Sequence, residues 1–159
     1  MSAIRIGFGV DVHRLDKDKD LYIGGVQIPS DLGAVGHSDA DVLIHAICDA
    51  ILGACNLGDI GYHFPDTDSK YKNIDSKIIL KKVSDLMKKA GYSIVNIDST
   101  VVLEKPKLAH HLTAMKKTLA EILMISSLDI SIKATTHEKV DSFGKSESIK
   151  AYAVCLLTK

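Results

Sequence analysis

The sequence predicts a two-layer α+β domain in which a mixed β-sheet carries helices on one face. Strand and helix patterns follow each other along all 159 residues, starting with a strand and a hairpin and ending with two strands. We find no linker, repeat or low-complexity segment, so one domain over residues 1–159 is the simplest organisation. The last predicted strand is apolar on both faces, with Tyr152, Val154 and Leu156 on one and Cys155 on the other. We therefore expect identical subunits to cover the sheet face that the helices leave open.

Alternating apolar residues and β-branched side chains predict the first strand at residues 4–12. Gly24 and Gly25 supply the turn of a short hairpin at residues 21–28, and residues 29–36 are expected to be a loop. The remaining predicted strands lie at residues 94–103, 130–135 and 149–157.

Apolar residues with a helical period predict helices at residues 39–54, 76–90 and 108–123. Ser38 or Asp39 could cap the first of these, and Gly91 ends the second. Residues 58–75 form a long polar loop. Because long loops in compact domains are uncommon, this one is expected to be functional or mobile.

Composition excludes several classes of function. The formal net charge is zero, which gives no electrostatic reason to bind nucleic acid or an anionic membrane. Tryptophan is absent and aromatic residues are few, so a base-stacking surface is not expected. The apolar runs are far shorter than a membrane span, and no signal-peptide pattern opens the chain. Cys48, Cys55 and Cys155 are odd in number and in apolar surroundings, which predicts reduced, buried cysteines in a cytoplasmic protein.

An Asp-x-His pair near the start of the chain is the strongest chemical signal. Asp11 and His13 would share one face of the first strand, and His45 follows in the first helix. One oxygen and two nitrogen ligands suit a zinc ion that keeps one position free. The alternative is an ordinary strand pair and a hydrogen-bonded core histidine.

A polar stripe in the first helix bears on the same question. Asp41, His45 and Asp49 are spaced by four residues and so share one helix face. A carboxylate of this stripe could orient the ring of a metal-bound His45. A solvated polar face is the alternative, and the presence of Asp11 and His13 favours the first interpretation.

Ten short motifs are individually weak but highly specific in their joint order. They are Asp11-Val12-His13, Ile23-Gly24-Gly25-Val26, His37-Ser38-Asp39, His45-Ala46, Asp49-Ala50, Leu52-Gly53-Ala54, Gly58-Asp59-Ile60-Gly61, Phe64-Pro65-Asp66-Thr67-Asp68, Pro106-Lys107 and Lys133-Ala134-Thr135-Thr136. With them the chain resembles the 2-C-methyl-D-erythritol 2,4-cyclodiphosphate synthases of non-mevalonate isoprenoid biosynthesis, from about residue 5 to the end.

The resemblance implies a homotrimer whose sheets pack around the threefold axis and whose active sites lie between neighbouring subunits. It implies a zinc ion held by Asp11, His13 and His45. It also implies a magnesium or manganese ion that Glu138 holds against the substrate diphosphate. Phosphate would be handled by His37 and Thr136.

Substrate-contacting residues also follow from the resemblance. Ser38 would contact phosphate beside His37, and Lys133 would help to neutralise its charge. The methylerythritol portion would be enclosed by Asp59, Ile60, Gly61, Phe64, Pro65, Asp66, Thr67 and Asp68. The cytidine pocket would be formed by residues 103–109, among them Leu103, Pro106 and Lys107, together with Ala134 and Thr135. Ser142 and Lys145 complete the implied set.

The implied reaction is an intramolecular phosphoryl transfer. The 2-phosphate of 4-diphosphocytidyl-2-C-methyl-D-erythritol 2-phosphate attacks the β-phosphorus of the same molecule and expels CMP, with no protein nucleophile. Cations and hydrogen-bond donors would neutralise the charge that builds up. Two other functions remain open: a zinc-dependent phosphate-ester hydrolase with Asp59 or Asp66 as general base, and an inactive trimeric binding protein.

One segment departs from the family pattern. The family usually has Gly-Phe-Thr-Gly-Arg-Gly-Glu-Gly where residues 141–148 read Asp-Ser-Phe-Gly-Lys-Ser-Glu-Ser, and His137 replaces a threonine. Lys145 keeps the positive charge of the arginine but lacks its two-pronged geometry for phosphate. The departure concerns any phosphate or isoprenoid ligand on the trimer axis and leaves the zinc and cyclisation residues unchanged.

Overall fold

The computed structural model describes residues 3–159. Its strands are β1 (Ile4–Asp16), β2 (Leu21–Ile23), β3 (Val26–Ile28), β4 (Gly33–Val35), β5 (Ser93–Val102), β6 (Ile130–Thr135) and β7 (Ser148–Thr158). Its helices are α1 (Val42–Ala54), α2 (Ile60–His63), α3 (Ser76–Lys89), α4 (Leu112–Leu123) and α5 (Asp141–Gly144), with 3₁₀ turns at Ser69–Tyr71 and Ser127–Asp129. Among residues 3–159, no helix has both the length and the apolar character needed to cross a membrane.

Five of the strands form one mixed sheet in the order β4-β1-β7-β5-β6, and β2 and β3 form a separate hairpin. Strand β7 is antiparallel to both β1 and β5, whereas β5 and β6 are parallel. Helix α1 packs against β1 and β7, and α3 packs against α1. The predicted mixed sheet and α+β class are confirmed.

The sheet face beneath α1 is made of small and apolar residues. On β7 the side chains that point to this face are at most 1% exposed, and they are Ile149, Ala151, Ala153, Cys155 and Leu157. Helix α1 approaches β1 so closely at Gly7 and Gly9 that a larger side chain has no room there. A Cβ atom on Gly7 would lie 1.8 Å from the carbonyl oxygen of Ala50, and one on Gly9 would lie 2.0 Å from that of Ala46. Because His45 precedes Ala46 in α1, this contact also brings His45 close to the strand.

The opposite face of the sheet is apolar and exposed. Its outward side chains on β1 are between 45% and 72% exposed, and they are Ile4, Ile6, Phe8, Val10 and Val12. Val154 of β7 lies directly opposite Phe8 and is 42% exposed. We call these six residues the outer sheet face. The prediction that β7 is apolar on both faces is confirmed, but β1 contributes most of the exposed apolar residues.

The hairpin turn is as predicted, since Gly24 and Gly25 both have positive φ, at 60° and 77°. The predicted loop at residues 29–36 is partly wrong. Residues Gly33–Val35 form strand β4, and β1 continues to Asp16 in order to pair with it. A three-residue strand is too short to show a periodic sequence pattern, and its pairing partner lies elsewhere in the chain, so the sequence alone does not indicate it.

Helix boundaries differ from the prediction at several points. Asp41, not Ser38 or Asp39, caps α1, because its side chain accepts a hydrogen bond from the Ile44 N–H. Gly91 follows the end of α3 with φ +84°, as expected for a helix-ending glycine. Helix α4 begins at Leu112 instead of residue 108, and the short helices in residues 58–75 and 141–144 were not predicted.

The three cysteines are free, as predicted. Cys48 and Cys155 are buried, whereas Cys55 is only half-buried, so the expectation of burial is wrong for Cys55. Burial raises the pKa of the Cys155 thiol to about 12, which makes it a packing residue without thiolate reactivity.

Candidate metal centre and active site

Three side chains meet between strand β1 and helix α1, and we call Asp11, His13 and His45 the metal triad. The Oδ2 atom of Asp11 lies 2.8 Å from Nε2 of His13 and 2.9 Å from Nδ1 of His45. The two histidine nitrogens are 3.2 Å apart. All three ligand atoms can therefore reach one ion, and the sequence-based expectation that these residues converge is confirmed.

The second nitrogen of each histidine has its own partner. Nδ1 of His13 lies 3.1 Å from the carbonyl oxygen of Val35, which can only accept a hydrogen bond. The proton of neutral His13 is therefore on Nδ1, and its Nε2 lone pair faces the triad. Nε2 of His45 lies 2.9 Å from the Ser76 hydroxyl and leaves Nδ1 for the triad. Asp11 offers an oxygen donor and the two histidines offer nitrogen donors, while a hydrogen bond at the other nitrogen fixes each ring. Such a donor set fits a zinc-type ion that keeps one coordination position open.

The electrostatics of the triad favour a bound cation. Burial by itself would raise the pKa of Asp11, but hydrogen bonds from His13 and His45 and the charge of both rings hold that pKa well below its usual range. Burial would lower the pKa of His45, yet the hydrogen bond and charge of Asp11 raise it overall. An ionised carboxylate is thus ready to bind a cation, which would displace the histidine protons.

The expectation that Asp41 or Asp49 orients the ring of His45 is wrong. Asp41 accepts backbone hydrogen bonds from Gly24 at 2.9 Å and Gly25 at 2.6 Å, in addition to its cap bond at 3.0 Å. Asp49 accepts the N–H of Ile60 at 2.8 Å. These carboxylates attach the hairpin and helix α2 to α1, and burial raises the pKa of both.

The triad opens into a cavity of about 420 Å³, which we call the triad cavity. Predicted substrate contacts that line it beside the triad are His37, Ser38, Ile60, Gly61, Phe64, Pro65, Asp66 and Thr67. Tyr71, Ile74 and Ile79, which were not predicted, also line it. Asp59 and Asp68 are absent from its lining, because their side chains cap α2 and the following 3₁₀ turn.

A second group of predicted residues forms a separate, small cavity of about 60 Å³ at the ends of β5 and β6. Its lining is Leu103, Pro106, Lys107, Leu108, Ala134, Thr135 and Thr136. The hydroxyl of Thr136 donates to the Glu138 carboxylate at 3.0 Å, which places the predicted cation ligand at the same edge of the sheet. No residue is shared between this lining and that of the triad cavity.

Six predicted site residues line neither of these two cavities in the described part of the chain, and they are Asp59, Asp68, Lys133, Glu138, Ser142 and Lys145. The Lys133 ammonium group lies 2.6 Å from the Asp98 carboxylate and lowers its pKa. Ser142 and Lys145 belong to the turn around α5, where the Ser142 carbonyl accepts the N–H of Glu147 at 2.8 Å. His137, the departure from the family pattern, lies 2.8 Å from the Asp141 carboxylate.

Comparison with known proteins identifies the family of the chain. The chain is 58% identical over 156 residues to the 2-C-methyl-D-erythritol 2,4-cyclodiphosphate synthase of Parabacteroides distasonis, covering 98% of this chain and 97% of that protein. It is similar to the bifunctional IspDF of Campylobacter jejuni, with a TM-score of 0.96 and 40% identity over 99% of this chain and 43% of that one. It is also similar to a structure of 2C-methyl-D-erythritol-2,4-cyclodiphosphate synthase with CDP bound, with a TM-score of 0.89 and 36% identity over 96% of this chain and 99% of that one. Residues 4–158 match the model of the YgbB family, and with these relatives the match shows that the chain belongs to this family of cyclodiphosphate synthases.

Proposed function

We propose that the protein is a 2-C-methyl-D-erythritol 2,4-cyclodiphosphate synthase. It is a phosphorus–oxygen lyase of isoprenoid precursor biosynthesis that converts 4-diphosphocytidyl-2-C-methyl-D-erythritol 2-phosphate into the cyclic diphosphate and CMP. The observation that carries the proposal is the convergence of the metal triad beside a cavity lined by the residues implied for the methylerythritol portion. The relative from Parabacteroides distasonis, which carries this name, covers nearly the whole chain.

The reaction needs charge control and positioning. An oxygen of the 2-phosphate forms a bond to the β-phosphorus, the bond from that phosphorus to the bridging oxygen breaks, and CMP leaves with the electron pair. His37 and Ser38, in the wall of the triad cavity, would bind the phosphate group. Phe64 and Ile60 would exclude water from it. A zinc ion on the triad would supply Lewis acidity and a template for the phosphate oxygens.

The second cation is proposed at the other cavity. Glu138 is exposed and its carboxylate contacts the Thr136 hydroxyl, next to the cavity implied for cytidine. A magnesium or manganese ion prefers such an oxygen ligand together with diphosphate oxygens. Thr136 would bind phosphate at this edge, and Lys107 would contact the cytidine portion.

We propose a homotrimer with sheets facing the threefold axis. Two observations support an assembly. The outer sheet face exposes six apolar side chains, and a contiguous patch of this kind marks an interaction surface. In addition, the triad cavity and the β5–β6 cavity are separate in one subunit and have no lining residue in common, which fits a site that combines one cavity from each of two neighbouring subunits.

The residues also support a single domain in a reducing compartment. Buried apolar residues from β1 to β7 form one core cluster. Three free cysteines suit the cytoplasm, where thiols stay reduced.

A direct assay distinguishes this function from the alternatives. The purified protein is mixed with the cytidylyl substrate, zinc and magnesium, and the products are followed by phosphorus NMR. We expect CMP and the cyclic diphosphate in equal amounts. Inorganic phosphate would indicate a hydrolase with Asp66, which lines the triad cavity, as the base. Unchanged substrate would indicate a binding protein.

A further inference from the structure

A line of hydrogen bonds runs behind His45, on the side of the ring that faces away from Asp11 and His13. Nε2 of His45 lies 2.9 Å from the Ser76 hydroxyl. That hydroxyl contacts one oxygen of the Asp39 carboxylate, and the Ser76 N–H contacts the other oxygen at 3.0 Å. Ser76 has no exposed surface, so water does not reach its hydroxyl, whereas Asp39 is partly exposed. The three residues come from three segments: the loop before α1, helix α1 and the first turn of α3.

The chemistry of the partners fixes the direction of each bond. A carboxylate accepts hydrogen bonds only, so the Ser76 hydroxyl donates its one proton to Asp39. The Ser76 oxygen can then only accept, and its donor is Nε2 of His45. A neutral His45 with its proton on Nε2 has its lone pair on Nδ1, the atom that lies 2.9 Å from Asp11. The line therefore selects the tautomer that a metal ion at the triad needs.

The backbone on both sides holds this line in place. The N–H of Asp39 donates to the carbonyl of Ile74 at 3.1 Å, and the N–H of Asn73 donates to the carbonyl of His37 at 2.6 Å. These bonds join the loop before α1 to the loop before α3. A second hydroxyl, that of Ser38, lies 3.2 Å from Nε2 of His45 and already accepts the Ala40 N–H at 3.1 Å.

We propose that Asp39 and Ser76 are positioning residues for the metal centre and act through His45. They set the tautomer and the angle of its ring, the role that the sequence had suggested for Asp41 or Asp49. The inference rests on the proposed metal site but not on the cyclisation reaction. Its test is therefore the binding of the metal alone.

Helix α3 offers a matched control for the test. Ser84, two turns after Ser76, is equally buried, and its hydroxyl finds no hydrogen-bond partner among residues 3–159. Zinc affinity is measured by competition with a chromophoric chelator for the unmodified protein, Ser76→Ala and Ser84→Ala. We expect about 10- to 100-fold weaker zinc binding for Ser76→Ala. We expect less than a twofold change, on the order of experimental error, for Ser84→Ala. The visible spectrum of bound Co²⁺ should change only in Ser76→Ala, since it reports ligand geometry.

Two further variants test the line itself. Ser76→Thr keeps the hydroxyl and should restore most of the zinc affinity and the cobalt spectrum. Asp39→Asn should weaken zinc binding in the unmodified background but have no further effect in Ser76→Ala, because the two residues act as a unit. Additive effects of the two substitutions would overturn the proposal, as would a Ser76→Ala protein that binds zinc like the unmodified one. If the unmodified protein binds no zinc, both this inference and the metal site are wrong. Zinc binding without cyclisation would contradict the proposed function alone and leave a Ser76 effect standing.

Discussion

At the scale of single side chains, His45 is the ligand that helix α1 adds to the two ligands of strand β1. Asp11 and His13 come from strand β1, and His45 comes from helix α1. With His45→Ala, two ligands would remain, and we expect zinc to fall from one per subunit to well below that. Added zinc should raise the melting temperature of the unmodified protein but not that of the variant. Metal analysis after gel filtration and a thermal melt measure both effects.

His110→Ala is the control for this variant, because His110 is exposed and lies outside the triad. It should keep one zinc per subunit. A His45→Ala protein that still binds one zinc per subunit would remove His45 from the ligand set.

Glu138 allows a test of the second cation. In Glu138→Gln the amide keeps the shape of the side chain but loses the charge that a hard cation prefers. We expect zinc content to be unchanged and the magnesium concentration at half-maximal activity to rise about tenfold or more, in line with a lost charged ligand. The measurement is a magnesium titration of CMP release. Glu121→Gln, on the exposed face of α4, is the control, and equal magnesium curves for all three proteins would show that Glu138 does not hold the ion.

The sequence could predict the metal triad because two ligands alternate on one strand and the third, His45, lies in a helix among further polar residues and apolar side chains. It could not predict Ser76 and Asp39 as partners of His45. Their contact depends on the packing of α3 against α1, and a serine at the start of a helix is usually explained as a local cap. The same limit explains Asp41 and Asp49, since helix spacing gives the face of a residue but not its partner.

At the scale of elements, the distance between β1 and α1 sets the geometry of the site. The carbonyl oxygen of Ala46 occupies the space that a side chain at position 9 would need. Gly9→Ala must therefore push α1 away from the strand, which should lower the free energy of unfolding by about 2 kcal/mol or more. It should also weaken zinc binding, because His45 moves with α1. Urea denaturation and the chelator competition measure the two effects.

Gly53→Ala is the matched control within α1. A Cβ atom at Gly53 would meet no atom within 4 Å beyond its chain neighbours and the nearby backbone of its own helix, in the part of the chain that the structure describes. Alanine also favours the helix, so stability should rise by up to about 1 kcal/mol. Zinc affinity should not change. If Gly9→Ala were as stable as the unmodified protein, the close contact would not determine the position of α1.

Most elements with a strong period could be predicted from the sequence, including α1, α3 and the hairpin with its two glycines. Strand β4 could not, because three residues carry no period and their pairing with β1 is non-local. The start of α1 was misplaced for a related reason. Several polar residues before it could cap a helix, and Asp41 does so because the hairpin N–H groups also converge on it.

At the scale of the whole molecule, the helices cover one face of the sheet and the outer sheet face is exposed. Phe8 stacks on Tyr152 of the neighbouring strand, with ring centroids 6.3 Å apart, so the apolar residues form a continuous surface across β1 and β7. A lone subunit would hold this surface in water. The apolar character of β7 could be predicted from the sequence. The larger contribution of β1 to the exposed surface could not be predicted. The alternation of residue types along β1 indicates that the strand has two different faces, but it does not indicate which face the helices cover.

The assembly can be tested with one charge on this face. Ile6 is 72% exposed in the single subunit, so Ile6→Asp should leave the subunit folded. In a trimer with sheets facing the axis the same carboxylate would be buried without a partner, at a cost of several kcal/mol. Position 154 is less suitable, because a carboxylate there would lie opposite Asp98 across the ladder and would disturb the subunit itself. We expect a trimer for the unmodified protein and a monomer or aggregate without cyclisation activity for Ile6→Asp, measured by sedimentation equilibrium and the CMP assay.

Leu128→Asp is the control for this last prediction, because Leu128 is 90% exposed in the 3₁₀ turn that precedes β6 and is not part of the outer sheet face. It should remain a trimer with full activity. The two variants add the same charge to exposed apolar positions, so a difference between them would come from the surface on which the charge lies. An active monomeric Ile6→Asp protein would show that one subunit holds a complete site. The residues around the two cavities would then act within one chain instead of across a subunit boundary.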